Sequence, residues 1–344
     1  PVEFIGGTKM ADRDEWVNQG GEDALDPALP ICDPHHHLWD LPGYRYLLDE
    51  ILSDTGSGHN VRSTVFVECA SMYRAEGPDA MKPVGEVEFV NGIAAQSASG
   101  GFGDIRVAAG IVGFADLTLG GAVADVLDAQ LRRAPDRYRG IRHSAAWDSS
   151  DAIRNGHTKP SPGLLGEPAF REGFARLADF GMSFDAWLFH PQIPDLIALA
   201  RAFPTTSIVL DHVGGVLGIG PYEGRRDDVF AAWSAAITEL ASCENVSVKL
   251  GGLGMKMAGK AWHKRPKPPA STELAEAWAP YLMHCIEAFG PSRAMFESNF
   301  PVDKASCGYG VLWNAFKRVT ADFSADEKAA LFHDTATRVY RVNA

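Results

Sequence analysis

The sequence predicts an α/β fold, a single (β/α)8 barrel. Three observations carry this. Eight short apolar runs alternate with longer amphipathic segments along the chain. No compositional break divides it, and no internal repeat of about 20–50 residues is present. The first apolar run leads into Asp33-Pro34-His35-His36-His37. A doubly wound sheet, the runner-up, would want a phosphate-cradling glycine fingerprint at that point.

In chain order, residues 1–30 are polar and without clear periodicity. They read as an N-terminal arm that wraps the domain or a partner subunit, with residues 31–344 as the barrel. The short apolar runs place strands at Leu29–Cys32, Ser63–Cys69, Ile105–Ile111, Tyr138–Arg142, Ser183–Leu188, Ser207–Leu210, Val246–Leu250 and Ala294–Ser298. The amphipathic stretches place helices near 86–97, 121–133, 167–180, 192–203, 226–242, 272–289 and 309–320, with a last one near 324–338. The basic, proline-rich stretch Lys264–Pro269 follows the seventh strand and reads as a loop on the functional face.

The chain has 344 residues, 46% hydrophobic and 22% charged, which suits a globular core and excludes general disorder. Its net charge of −12 argues against a nucleic-acid partner. No apolar window is long enough to span a membrane. No charged n-region followed by an apolar h-region opens the sequence. Five cysteines without a CxxC point to a reducing, cytoplasmic setting rather than a disulfide framework. A homo-oligomer is compatible with all of this.

The chemistry concentrates at predicted strand ends, where barrel active sites are built. His35 and His37 are two apart on the first strand, so both rings share a face and can reach one ion. Asp211-His212 closes the sixth strand, ahead of Gly214 and Gly215. His190 follows the fifth strand, as a third ligand, a loop residue held by Pro191, or a stacking ring. Asp185 and Trp187 share one face of that strand. On the eighth strand Glu297 and Asn299 face the same way. A buried Lys249–Glu297 pair across strands seven and eight is expected, because a buried charge needs a partner.

Taken in order, Asp33-x-His35-x-His37-x-Trp39-Asp40, Gly140-Ile141-Arg142-His143, Leu210-Asp211-His212-Val213-Gly214 and Ser298-Asn299-Phe300-Pro301-Val302 resemble the amidohydrolase-related family of TIM-barrel hydrolases, nearest its lactonase-like branch. The resemblance runs from about residue 31 to the terminal Phe332-His333-Asp334-Thr335-Ala336 segment and beyond. It implies a hydrolytic site at the barrel mouth. His35, His37 and His212, with His190 a less secure match, would bind a divalent metal, zinc first, or polarise a carbonyl without one.

One departure stands out. The family's strand-eight Ser-Asp-Trp-Pro reads Ser298-Asn299-Phe300-Pro301 here, and an amide is no base at neutral pH. Asp303, Glu68 and Glu297 are the replacement candidates. Arg142 would bind a substrate carboxylate through its fork. Tyr44, Tyr46, Tyr73, Trp147 and Trp187 are candidate pocket aromatics. The expected activity is opening of a lactone or related cyclic ester on a carboxylated small molecule, with catalytic roles for His35, His37, His212, Asn299 and Asp303. Metal-dependent decarboxylation or other C–C cleavage is the alternative, and a non-catalytic ligand-binding barrel the third reading.

Overall fold

A computed structural model describes residues 10–342. Residues 1–9 of the predicted arm, and residues 343–344, lie outside the described residues. Eight parallel strands run in sequence order around the sheet: β1 (Pro30–His36), β2 (Asn60–Val67), β3 (Arg106–Gly113), β4 (Tyr138–Arg142), β5 (Ser183–Ala186), β6 (Ile208–Leu210), β7 (Val246–Leu250) and β8 (Ala294–Phe296). The ring is drawn together beyond β8. A parallel bridge joins His36 to Phe300, and the His37 N–H donates to the Phe300 carbonyl at 2.8 Å.

Alternation along each strand sorts two cores. Val65, Val67, Val112, Val209 and Met295 point inward as one cluster, which Tyr340 and Val342 join from the C-terminal segment. Their strand neighbours Phe66, Ile111, Ile208, Leu210 and Phe296 point outward into the helix layer. That layer is cut from amphipathic helices. In Val123–Arg133 the buried positions are Val123, Val126, Leu127 and Gln130, one stripe at helical spacing, and Arg132 and Arg133 complement the dipole in the last turn. Further helices cover the outside at Val84–Ala98, Pro168–Asp179, Ile193–Ala202, Arg226–Ala241, Ser271–Phe289 and Tyr309–Val319.

Some expectations are corrected. β1 runs on through Asp33-Pro34-His35-His36, with register irregularities on either side of Cys32–Asp33. The arm contains a helix, Met10–Asn18, fixed by polar ties: Arg13 donates to the Ala305 carbonyl at 3.0 Å, and Asp14 lies 2.7 Å from Lys304 Nζ. A helix at Leu48–Thr55 and a two-stranded hairpin, Trp39–Leu41 with Tyr44–Tyr46, also escaped the sequence reading. The final helix is divided by a wider π turn at Ala330–Asp334. All five cysteines are free. Among the described residues no helix is long and apolar enough to cross a membrane.

Candidate active site

The inward positions nearest the C-terminal ends of the strands are titratable rather than apolar. His35, Glu68, Arg142, Asp185, Asp211, Lys249 and Glu297 are all buried there. Lys249 does not pair with Glu297 as expected. Its Nζ lies 2.6 Å from Asp185 Oδ2 and 3.0 Å from Asp211 Oδ1. Tyr340 donates its hydroxyl to the same Asp185 oxygen at 2.7 Å, closing the cluster from below.

Glu297 serves histidines instead. Its Oε1 accepts the ring Nδ1–H of His212 at 2.7 Å and the His212 backbone N–H at 3.0 Å. Its Oε2 lies 2.8 Å from His35 Nδ1. A carboxylate only accepts, so His212 Nδ1 is the donor of this pair. Two glycines allow this approach. A Cβ on Gly251 would come within 2.5 Å of Glu297 Cγ, and one on Gly252, at φ +67°, within 2.5 Å of the His212 ring. His212 itself takes φ 56°, and Asn299 φ 54°.

His37 is fixed in a similar way. Its Nδ1 donates to the Val67 carbonyl at 2.8 Å, which leaves Nε2 as an acceptor, and its ring stacks on Trp39. His35 lies between two cations, with Lys249 Nζ 3.2 Å from Nδ1 and Arg142 Nη1 3.4 Å from Nε2. Burial, and then Lys249, hold the His35 ring well below its ordinary pKa; burial, and then Arg142, do so for His37. Both rings are therefore neutral, the form that ligates metal.

Arg142 does not present a free fork. Nε donates to Glu68 Oε1 at 2.8 Å, Nη2 to the Glu68 carbonyl, and Nη1 to Asp211 Oδ2 at 3.4 Å. Glu68 is equally committed, since its Oε2 lies 3.0 Å from His157 Nε2. Burial alone would raise the Glu68 pKa, but His157 and Arg142 outweigh it and hold the carboxyl well below the usual range. Asp303 sits behind Asn299, accepting the Asn299 Nδ2–H at 3.0 Å and the Gly254 N–H at 3.1 Å, and burial pushes its pKa up to about 7.

An open cavity of roughly 680 Å³ covers this floor, and His37, Trp39, Arg142, His157, Trp187, His212 and Asn299 are among its walls. Glu68, Tyr73, His190 and Asp303 do not line it. His190 accepts the Leu217 N–H and meets the Tyr222 ring, with burial lowering its pKa to about 4. Tyr44 donates to the Pro301 carbonyl and Tyr46 to Asp54, so both anchor the hairpin that delivers Trp39. Trp147 lines a neighbouring chamber. His157, like Cys69, Ser71 and Met255, is a wall residue that the sequence does not point to.

Ligand atoms of His35, Asp211 and His212 lie within 4.8 Å of one another, a possible metal site. Its surroundings fit a divalent cation. Four buried carboxylates (Glu68, Asp185, Asp211 and Glu297) face two buried cations, Arg142 and Lys249. Asp211 Oδ1 and Glu297 Oε2 are buried acceptors without an aligned hydrogen bond. His37 and His190 stand outside this ligand group.

The fold and the ring of histidines and carboxylates at its C-terminal face define a (β/α)8 hydrolase. The chain belongs to the amidohydrolase family, whose profile matches residues 32–342. It is 36% identical over 331 residues to the uncharacterized protein y4mH of Sinorhizobium fredii, covering 91% of this chain and 99% of that protein. It is 28% identical over 239 residues to an L-fucono-1,5-lactonase of Burkholderia ambifaria, covering 68% of this chain and 71% of the lactonase. Among solved structures, an amidohydrolase of Burkholderia multivorans with bound HEPES superposes with a TM-score of 0.70 at 24% identity, over 91% of this chain and 99% of that one. The same target with bound zinc, in another space group, gives 0.68 at 25% identity over the same shares.

Proposed function

We propose that this hydrolase opens a lactone or related cyclic ester of a small molecule by addition of water at the barrel mouth. The observation that carries the proposal is the fixed tautomer of His37: with Nδ1–H held by the Val67 carbonyl, a neutral Nε2 lone pair belongs to a ring that lines the cavity. That nitrogen takes the proton of the attacking water as the new C–O bond forms at the carbonyl carbon. As the ring C–O bond breaks, the proton passes to the departing alkoxide.

Asn299 replaces the family's acid in a different role. Asp303 holds one Nδ2 hydrogen, which orients the amide so that the other is offered to the carbonyl oxygen as charge develops there. Trp39 and Trp187 enclose the substrate. His35, Asp211 and His212 would hold zinc, with Glu297 orienting both imidazoles. Bound zinc would polarise the carbonyl and lower the pKa of water. The L-fucono-1,5-lactonase relatives support a lactone over a carboxylate lost as carbon dioxide. The five free thiols support a reducing, cytoplasmic setting.

The test is turnover of a panel of sugar and aliphatic lactones by the zinc-loaded protein and by His37→Ala. A loss of roughly 10²–10⁴ in kcat with unchanged zinc content is expected for a removed base. Full activity of His37→Ala would remove the assigned base, and no turnover of any lactone by the wild type would overturn the reading.

A further inference from the structure

The catalytic cavity has a neighbour. A second open chamber, of roughly 970 Å³, shares Cys69, Ala70 and His157 with it and is walled on its far side by Trp147, Arg154, Asn155, Lys159 and Pro160. The loop that builds it follows β4 and is tied down throughout. Asp148 and Asn155 clasp one another by two hydrogen bonds, the Asp148 N–H to Asn155 Oδ1 at 2.7 Å and Asn155 Nδ2 to the Asp148 carbonyl at 3.1 Å. Gly156 donates to the Ala146 carbonyl at 2.7 Å, Thr158 Oγ1 to the Ser144 carbonyl at 2.9 Å, and His157 reaches Glu68. The chamber is therefore a formed surface rather than a gap beside a slack loop.

Its chemistry is one-sided. Arg154 and Lys159 place two cations on the lining, and none of the lining residues is an acid. Lys159 has no ion-pair partner among the described residues. Trp147 adds an aromatic wall. In a chain of net charge −12, a local positive patch is what lets an anion approach. Arg142 cannot fill that need, because each of its three nitrogens is already engaged with Glu68, Asp211 or His35.

We infer that the chamber behind His157 is a second subsite, which takes an anionic side arm of the substrate while its cyclic ester lies in the catalytic cavity. This rests on the hydrolase reading for what happens at the ester, and it names the substrate class: a lactone bearing a carboxylate on an arm beyond the ring. Lys159 is the specificity residue, and Trp147 covers the arm. His157, on the wall common to both chambers, marks the passage.

The probes are a six-membered lactone with a carboxyethyl side arm and its primary amide. For wild type, KM should be at least about tenfold lower for the carboxylate, a difference of about 1.4 kcal/mol. Lys159→Gln should raise KM for the carboxylate about tenfold, leave kcat within twofold, and move KM for the amide by less than twofold. High salt should narrow the wild-type preference and change the variant's less. Equal shifts for both probes, or none, overturn the subsite. If the wild type hydrolyses neither probe, the hydrolase reading is judged separately, on the full lactone panel. Calorimetric titration of the two lactones then decides the subsite: tighter binding of the carboxylate, lost in Lys159→Gln, upholds it, and equal affinities reject it.

Discussion

His212 and Glu297 are joined twice. The ring Nδ1 of His212, at 2.7 Å, and its backbone N–H, at 3.0 Å, converge on the same carboxylate oxygen. The other oxygen stands 2.8 Å from His35. One acid from β8's end thus holds His212 by two hydrogen bonds and faces the His35 ring at ion-pair distance.

At the proposed zinc site, that shared carboxylate is expected to set the affinity. Glu297→Gln keeps the shape but cannot serve both rings as an acceptor. Zinc affinity, read by competition with a chelating dye, should fall about 10–100-fold, the usual effect of losing an orienting partner. Unchanged affinity would dissociate Glu297 from the metal.

The Asn299–Asp303 pair predicts an order of effects. Asn299→Ala removes the proposed donor to the carbonyl oxygen and should lower kcat by about 10²–10³. Asp303→Asn disturbs only the orientation of that donor, so its loss should stay near tenfold. Steady-state kinetics that place Asp303 first would make it the base.

Arg142 is predicted to be structural. Arg142→Met leaves Glu68 buried without its guanidinium and Asp211 with Lys249 as its remaining cation, at a cost of about 3–5 kcal/mol. Chemical denaturation should register that loss, and KM for charged and neutral substrates should change alike. A selective effect on the charged substrate would restore Arg142 as its ligand.

Glu86 gives a pH signature. Burial, and then Glu68, push its pKa up to about 8, while the unfolded chain ionises it near 4.3. The folded state thus binds a proton that the unfolded state has released, and this contribution to stability is lost as pH rises from about 4 to about 8. Glu86→Gln mimics the protonated acid, retaining an acceptor for the Cys69 and Ser71 N–H groups. Its melting temperature should exceed that of the wild type most above pH 8, with the gap shrinking toward pH 4. A gap independent of pH would show that Glu86 is not the titrating group.

The strands were legible where an apolar run ends sharply, and β4 and β7 match their expected limits. Helix Met10–Asn18 was not, because Met-Ala-Asp-Arg-Asp-Glu-Trp-Val-Asn offers no apolar stripe and docks through polar ties. The histidine motif announced itself by spacing. The partners of Lys249 depend instead on register with β5 and β6, so Asp185 and Asp211 could not be chosen over Glu297 beforehand. His157 lies in a loop, with no period to mark it. Gly251-Gly252 was the available signal for a crowded approach after β7, and it was not read.

Cys69 lies on the wall common to the two chambers, and it alone of the five thiols is partly exposed. Burial, and then Glu86 and Glu68, keep it protonated, so it is a sluggish nucleophile at neutral pH. In alkaline buffer, a bulky maleimide attached there would act as a stopcock between the chambers. Labelled enzyme would still admit compact rings and would refuse those with long arms.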